Sequence, residues 1–156
     1  MKIKKFNKFQ KAIQDRAGLI PYIIVDGEIE MMFYIPSSDE YTGGYKFQIA
    51  KGRVDYGESP QEAAIREAEE EVGLDKDNIK NIMLISEKKL TGSEGYDYIL
   101  HLYAVEVKNK VDFNRFESDT KETGWLTIGE YTRYGRGSQL KLVKKTYDKI
   151  ENTLKK

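Results

Sequence analysis

Four glutamates, Glu67, Glu69, Glu70 and Glu71, lie within five consecutive residues of the chain. On a helix, Glu67, Glu70 and Glu71 share one face, because they are separated by three and four residues. Like charges at that spacing repel by about 0.2–0.5 kcal/mol per pair. A hard divalent cation reverses that cost, and a cluster of carboxylate oxygens suits Mg²⁺ or Mn²⁺. Other chemistries fall away. The chain has no cysteine, which removes thiolate catalysis and thiolate metal sites. Its single histidine, His101, excludes a histidine-rich zinc site and reads as a packed or hydrogen-bonded strand residue. No twelve-residue loop carries the alternating ligands of a calcium hand.

The element that carries the carboxylates is specified at both ends. Ser59 is a good N-cap, Pro60 suits the first helical position, and Glu62 completes a capping box. Ala64, Ile65, Ala68 and Val72 recur on the opposite face and can pack on a sheet. Gly73 suits the C-cap, with Leu74 folding back over the last turn.

The stretch Gly52–Leu74, GRVDYGESPQEAAIREAEEEVGL, resembles the Nudix box. That pattern is Gly, five residues, Glu, seven residues, Arg-Glu, an aliphatic, any residue, Glu-Glu, any residue, Gly and an aliphatic. Gly52, Glu58, Arg66, Glu67, Ala68, Glu70, Glu71, Gly73 and Leu74 fill those places. The resemblance implies an α/β/α sandwich, a mixed sheet between helices, with the box helix on one side and the C-terminal helix on the other. It implies that Glu67, Glu70, Glu71 and the Gly52 carbonyl bind divalent metal bridged to a diphosphate. Arg66 and Glu58 would form a supporting pair that orients Glu67, and Glu69 would be solvated. The implied reaction is hydrolysis of a diphosphate linkage in a nucleotide derivative, with a carboxylate taking or holding the proton of the attacking water. The other class weighed is a non-catalytic nucleotide-binding protein on the same fold. Loss of a box carboxylate would mark it, and none is lost.

The approach to the box, FQIAKGRVDYGE, resembles the branch acting on dinucleoside polyphosphates, diphosphoinositol phosphates or capped and triphosphorylated RNA ends. Lys51 and Gly52 match its Pro-Lys-Gly, while Ala50 replaces the proline. A dinucleoside polyphosphate is therefore the expected substrate; an RNA 5′ end, ADP-ribose or a nucleoside triphosphate are the alternatives. Lys51 is a candidate phosphate contact. Tyr45, Tyr56, Tyr96 and Tyr98 are the tyrosines nearest the site in the chain, and Tyr45, Tyr96 and Tyr98 are carried as candidate platforms for a base. Many members also take a metal-binding or basic acid from a loop before the final strand, often six residues ahead of a tryptophan. Counting back six from Trp125 gives Asp119, with Glu117 and Glu122 beside it.

The remaining chain must supply a scaffold. Its 156 residues suit one domain, expected to span 1–156. The composition, 39% hydrophobic and 33% charged, is that of a soluble protein. Absence of cysteine fits a reducing, cytoplasmic setting. No apolar run reaches the ~20 residues of a membrane span, and no secretory signal is evident. The net charge is zero, yet residues 1–16 carry +5 and residues 141–156 carry +4, so the middle is acidic. Such basic ends read as solvated lysines, or as an attraction for an anionic substrate.

Strands are expected at 17–25, 29–35, 47–50, 79–89, 96–107 and 124–128. Asp26-Gly27 should form a hairpin turn, and Pro21 should mark an edge or a bulge. Residues 36–44 and 111–124 read as loops, with TGSEG as a turn. A last helix is expected after Ser138 as N-cap, with Leu140, Val143, Tyr147, Ile150 and Leu154 as its apolar stripe.

Overall fold

A computed structural model of the chain describes residues 13–37, 45–92, 95–110 and 120–155. Residues 38–44 of the loop expected at 36–44, the centre of the TGSEG turn, residues 1–12 of the basic segment 1–16 and the segment with Glu117 and Asp119 lie outside them.

Six strands among the described residues form one mixed sheet. They are β1 (Ile13–Val25), β2 (Glu28–Pro36), β3 (Ala50–Arg53), β4 (Ile79–Thr91), β5 (Asp97–Val107) and β6 (Thr120–Leu126). The order is β4-β5-β1-β2-β6, and β3 also pairs with β1. β1 runs parallel to β5 and antiparallel to β2 and β3. The β1–β2 turn has positive φ at both Asp26 (50°) and Gly27 (82°), as a tight primed turn requires.

Pro21 corrects the expectation drawn from it, because it lies in the central strand. β3 registers with Arg16 to Leu19 and β2 with Tyr22 to Val25. Pro21 falls at the changeover, so its missing N–H removes no rung from either antiparallel ladder.

Among the described residues the α-helices are α1 (Pro60–Val72), α2 (Ile128–Tyr134) and α3 (Leu140–Leu154). α1 covers one face of the sheet. Its Ala63, Ala64, Ala68 and Val72 are buried with Ala17, Leu19, Met32, Tyr34 and Val105. Small alanines on that face let the helix axis come close to the strands. The opposite face packs Ile20, Phe33, Ile49, Leu102 and Ala104 against Tyr131 of α2 and Val143 and Ile150 of α3. The expected α/β/α sandwich is therefore the observed fold.

Three expectations at the C-terminal end change. The last strand starts at Thr120 rather than 124, inside the stretch read as loop. Residue 128 opens a helix rather than closing a strand, because Thr127 and Glu130 make a reciprocal capping box. Ser138 is not the cap of α3: a 3-10 turn at Gly137–Gln139 leads straight into the helix, with no side-chain cap bond at Gln139. Of the predicted stripe, Val143 and Ile150 are buried, but Leu154 is 46% exposed. No helix among the described residues is long and apolar enough to cross a membrane.

Candidate active site

The site is built where β3 meets α1. The Ser59 hydroxyl accepts the Glu62 N–H at 3.1 Å and the Glu62 carboxylate accepts the Ser59 N–H at 2.9 Å. At the other end Gly73 adopts a φ of 72°, and the Leu74 N–H reaches the Ala68 carbonyl. With both ends fixed, the carboxylates are presented by a rigid element.

Arg66 ties the box loop to that helix. Its Nε donates to Glu58 Oε2 at 2.8 Å and its Nη2 to Glu58 Oε1 at 3.0 Å, a two-pronged pair. Nη2 also donates to the Arg53 carbonyl at 2.9 Å. Nη1 reaches Glu67 Oε1 at 3.1 Å and Glu70 Oε1 at 3.3 Å. The expected Glu58–Arg66 pair is thus present, and the guanidinium also bridges two box carboxylates. Hydrogen bonding from Arg66, then from the Asp55 N–H, holds the Glu58 carboxyl below the usual range.

Glu67 is more enclosed than Glu58 or Glu70, with 14% of its side chain exposed. Burial raises its pKa first and the neighbouring Glu70 raises it further, against Arg66. A Cβ on Gly52 would overlap the Glu67 carboxyl, so glycine is what allows β3 to lie against it. Glu71 plays a different part from Glu70. Its Oε1 accepts the Lys51 backbone N–H at 2.9 Å and its Oε2 accepts the Tyr34 hydroxyl at 2.7 Å. Glu69 faces Lys76 across 3.7 Å, consistent with a solvated role.

Among the described residues, no three acids or histidines converge closely enough to hold a metal ion as they stand. The donor chemistry nonetheless fits a hard divalent ion. Oxygen donors are gathered at one helix face, a desolvated carboxylate adjoins a second one, and a glycine backbone lies against it.

Of the proposed loop acids, Glu122 is described, and it belongs to β6. It registers with Ile35, while Thr123 and Trp125 register with Tyr34 and Met32 on the α1 face. Strand alternation therefore turns Glu122 away from the box helix. Thr120, the first residue of β6, donates its hydroxyl to the Glu71 carbonyl at 2.8 Å. The start of β6 is thus fastened to the carboxylate end of α1, one residue after Asp119 in the chain.

A cleft of about 470 Å³ opens on the sheet face away from α1. Its wall includes Arg16, Lys51, Tyr98, Arg136 and Gln139. Gln139 Oε1 accepts the Ile49 N–H at 2.8 Å, which ties the start of α3 to the approach of β3. Burial lowers the Lys51 pKa most, followed by repulsion from Arg16 and Arg136. Glu71 and Glu67 act on Lys51 in the opposite sense, which links the cleft electrostatically to the box.

Among the candidate tyrosines, Tyr98 lies in the cleft, with Arg16 4.7 Å and Lys51 5.9 Å from its ring centre. Tyr45 and Tyr96 are each 56% exposed and do not line it; Tyr45 has a positive φ of 35° and stacks under Lys121. Tyr56 is fully exposed in the box loop. Arg16, Arg136 and Gln139 were not found by sequence reading. They come from β1 and the α2–α3 turn and converge only after folding, so no local spacing marks them. His101 is hydrogen-bonded as expected, with Nδ1 2.6 Å from Glu87 and Nε2 3.0 Å from Asp15.

The NUDIX domain family matches residues 22–146. The chain belongs to the Nudix hydrolase family. Members of the family generally use divalent metal ions. Comparison with curated proteins returned no match. Among solved structures, a C. elegans Ap4A hydrolase in a binary complex superposes with a TM-score of 0.72 at 20% identity, covering 89% of this chain and 98% of that one. The NUDIX domain of Shewanella oneidensis NrtR, complexed with ADP ribose, gives 0.72 at 10% identity, covering 96% and 99%. A mutT/nudix family protein from Listeria innocua gives 0.66 at 20% identity, covering 90% and 96%. At these identities the likeness is one of fold.

Proposed function

We propose that the protein is a metal-dependent pyrophosphohydrolase whose substrate is a dinucleoside polyphosphate. The observation that carries this reading is the Arg66-braced cluster of Glu67, Glu70 and Glu71 beside Gly52, with the Lys51 ammonium one residue away on the cleft side. Glu67, Glu70, Glu71 and the Gly52 carbonyl would hold the divalent ion, Mg²⁺ or Mn²⁺. When bound, that ion neutralises diphosphate charge and lowers the pKa of water.

The chain's own groups do the rest. Arg66 holds the Glu67 carboxylate in place and keeps the box loop against the helix. Glu71 fixes β3 through the Lys51 N–H, which sets where the Lys51 side chain starts. Lys51 then meets a phosphate as a point charge. A carboxylate accepts the proton of the attacking water; Asp119, beside the anchored Thr120, is proposed for that role or as a further ligand. Residues 1–156 are proposed to act as one domain, in the cytoplasm.

The Lys51-Gly52 approach to the box, a single tyrosine ring within a charged cleft, and the fold shared with an Ap4A hydrolase favour the dinucleoside substrate. ADP-ribose is the second reading, favoured by the shared fold of a Nudix domain that binds it. The test is a panel of dinucleoside polyphosphates, ADP-ribose, nucleoside triphosphates and triphosphorylated RNA, assayed with Mg²⁺ and with Mn²⁺ and resolved by chromatography. Preferred cleavage of diadenosine tetraphosphate is expected. Preference for any other member of the panel replaces the substrate assignment, and no metal-dependent turnover on any of them overturns the hydrolytic reading.

A further inference from the structure

Three cations, Arg16, Lys51 and Arg136, face one cleft, and no carboxylate among the described residues forms an ion pair with any of them. Arg16 Nε is buried without a hydrogen-bond partner. A buried donor left unmade costs free energy, and so does crowding like charges. Proteins tolerate such arrangements where a ligand completes them.

The cleft's lining narrows what that ligand is. Thr91, Gly92 and Ser138 add neutral polar groups to the lining, while Ile49, Leu100 and Leu142 add apolar ones. Arg16 lies 4.7 Å and Lys51 5.9 Å from the Tyr98 ring centre, so both cations adjoin one aromatic ring. Arg136 is held by its backbone, with its N–H on the Phe47 carbonyl and its carbonyl accepting from the Tyr131 hydroxyl. Its side chain remains available to the cleft. Three cations from three separate segments exceed the charge of a single phosphate monoester. They match a linear chain of phosphates.

We propose that this cleft is a polyphosphate-binding subsite, in which Arg16, Arg136 and Lys51 hold the part of a phosphate chain that lies beyond the linkage at the box. The inference rests on the hydrolase reading only for the placement of the scissile bond. The cleft itself makes a separate claim: it binds a phosphate chain without metal.

That claim is tested on the full chain in excess EDTA, by calorimetry and by the rise in Tm with ligand. The ligands are inorganic tripolyphosphate, ATP and adenosine. Tripolyphosphate and ATP are expected to bind and adenosine is not. Equal affinity for the first two shows that the chain alone is read, whether inorganic or nucleotide-linked. Tighter binding of ATP adds a nucleoside contact at Tyr98. Arg16→Gln and Arg136→Gln are each expected to weaken tripolyphosphate on the order of tenfold, as loss of a charge-assisted contact would. Glu70→Gln should bind at least as well as wild type.

Arg136→Gln protects the test against misfolding, because only the backbone of that residue holds the structure. Folded wild-type protein that binds no tripolyphosphate overturns the proposal. So does binding that both arginine variants retain, or adenosine binding as well as ATP. Failure of the hydrolytic assay with arginine-dependent tripolyphosphate binding intact would remove the enzyme reading and leave the subsite standing. Turnover with no arginine-dependent binding would do the reverse.

Discussion

Glu70 and Glu71 are neighbours of one type, and by sequence they carry the same expectation as metal ligands. Folding separates them. Glu70 meets Arg66 at 3.3 Å and is 42% exposed, whereas Glu71 anchors the Lys51 N–H and the Tyr34 hydroxyl. Both Glu70→Gln and Glu71→Gln should lower turnover by orders of magnitude. Only the second should destabilise the metal-free protein, by about 1 kcal/mol, as bonds to a charged acceptor become neutral ones. Glu70→Gln should change stability by no more than about 0.5 kcal/mol, because a screened pair is lost and repulsion of Glu67 is relieved. Denaturant midpoints of the two metal-free variants decide it, and equal losses would contradict the division of labour. Gly52→Ala isolates a second feature. The added methyl displaces the flexible end of Glu67 rather than backbone, so the fold should survive with a Tm near wild type. Turnover should drop sharply because a carboxylate has moved; unchanged kinetics would mean that Glu67 is not required where it lies. The carboxylates, Glu58, Arg66 and Gly52 were legible because one short stretch contains their relations. The Tyr34–Glu71 bond spans 37 residues, and no local pattern encodes it.

At the scale of elements, the cap, first turn and C-terminal glycine of α1 were legible as local signals, and its apolar face nearly so, with Ala63 buried and the expected Ile65 only partly buried. Ser59→Ala should therefore cost about 1 kcal/mol, the usual value of such a cap. It should also loosen the first turn that supports Glu58 and Arg66. A thermal melt combined with the KM for substrate would check this: a stability loss with a raised KM is expected, and a stability change near zero would show that the capping box contributes nothing. α2 was misread although Thr127 and Glu130 carry the same kind of signal. Trp125, Leu126 and Ile128 suggested a strand running on, and the cap lies inside that apolar run. The early start of β6 was hidden by TKET, whose polar residues read as loop until Tyr34 and Ile35 pair with them. Pro21 misled for the complementary reason: a central strand tolerates proline where its antiparallel partner changes, and the change of partner is a property of the sheet.

For the whole molecule, the sheet divides charge between two faces, an acidic box under α1 and a cationic cleft on the other side. The sandwich was legible from element order together with the box, but the cleft was not, because β1, β3, β5 and the α2–α3 turn meet only in the assembled fold. That division gives the protein a pH dependence whose sign can be worked out. Glu67 is raised above an unfolded glutamate, which titrates near ~4.3, by burial first and by Glu70 second. Between the unfolded and the native value, the native state holds more protons than the unfolded state. This contribution to stability is complete below the unfolded pKa and is lost as pH rises through the native one. Glu58, Glu62 and Asp97 are lowered instead, and their contributions are lost as pH falls. The wild type must therefore be compared with Glu67→Gln, in which the other acids remain. In EDTA, the stability of wild type relative to that variant should fall as pH rises across this window and be level on either side. With Mg²⁺ or Mn²⁺ present the trend should reverse, because the ion competes with the proton for Glu67 and binds better as pH rises. Chemical denaturation at a series of pH values, with and without metal, measures both slopes. A difference between the two proteins that does not vary with pH in EDTA would show that the Glu67 carboxylate is not held in the desolvated, repulsive setting on which the metal assignment depends.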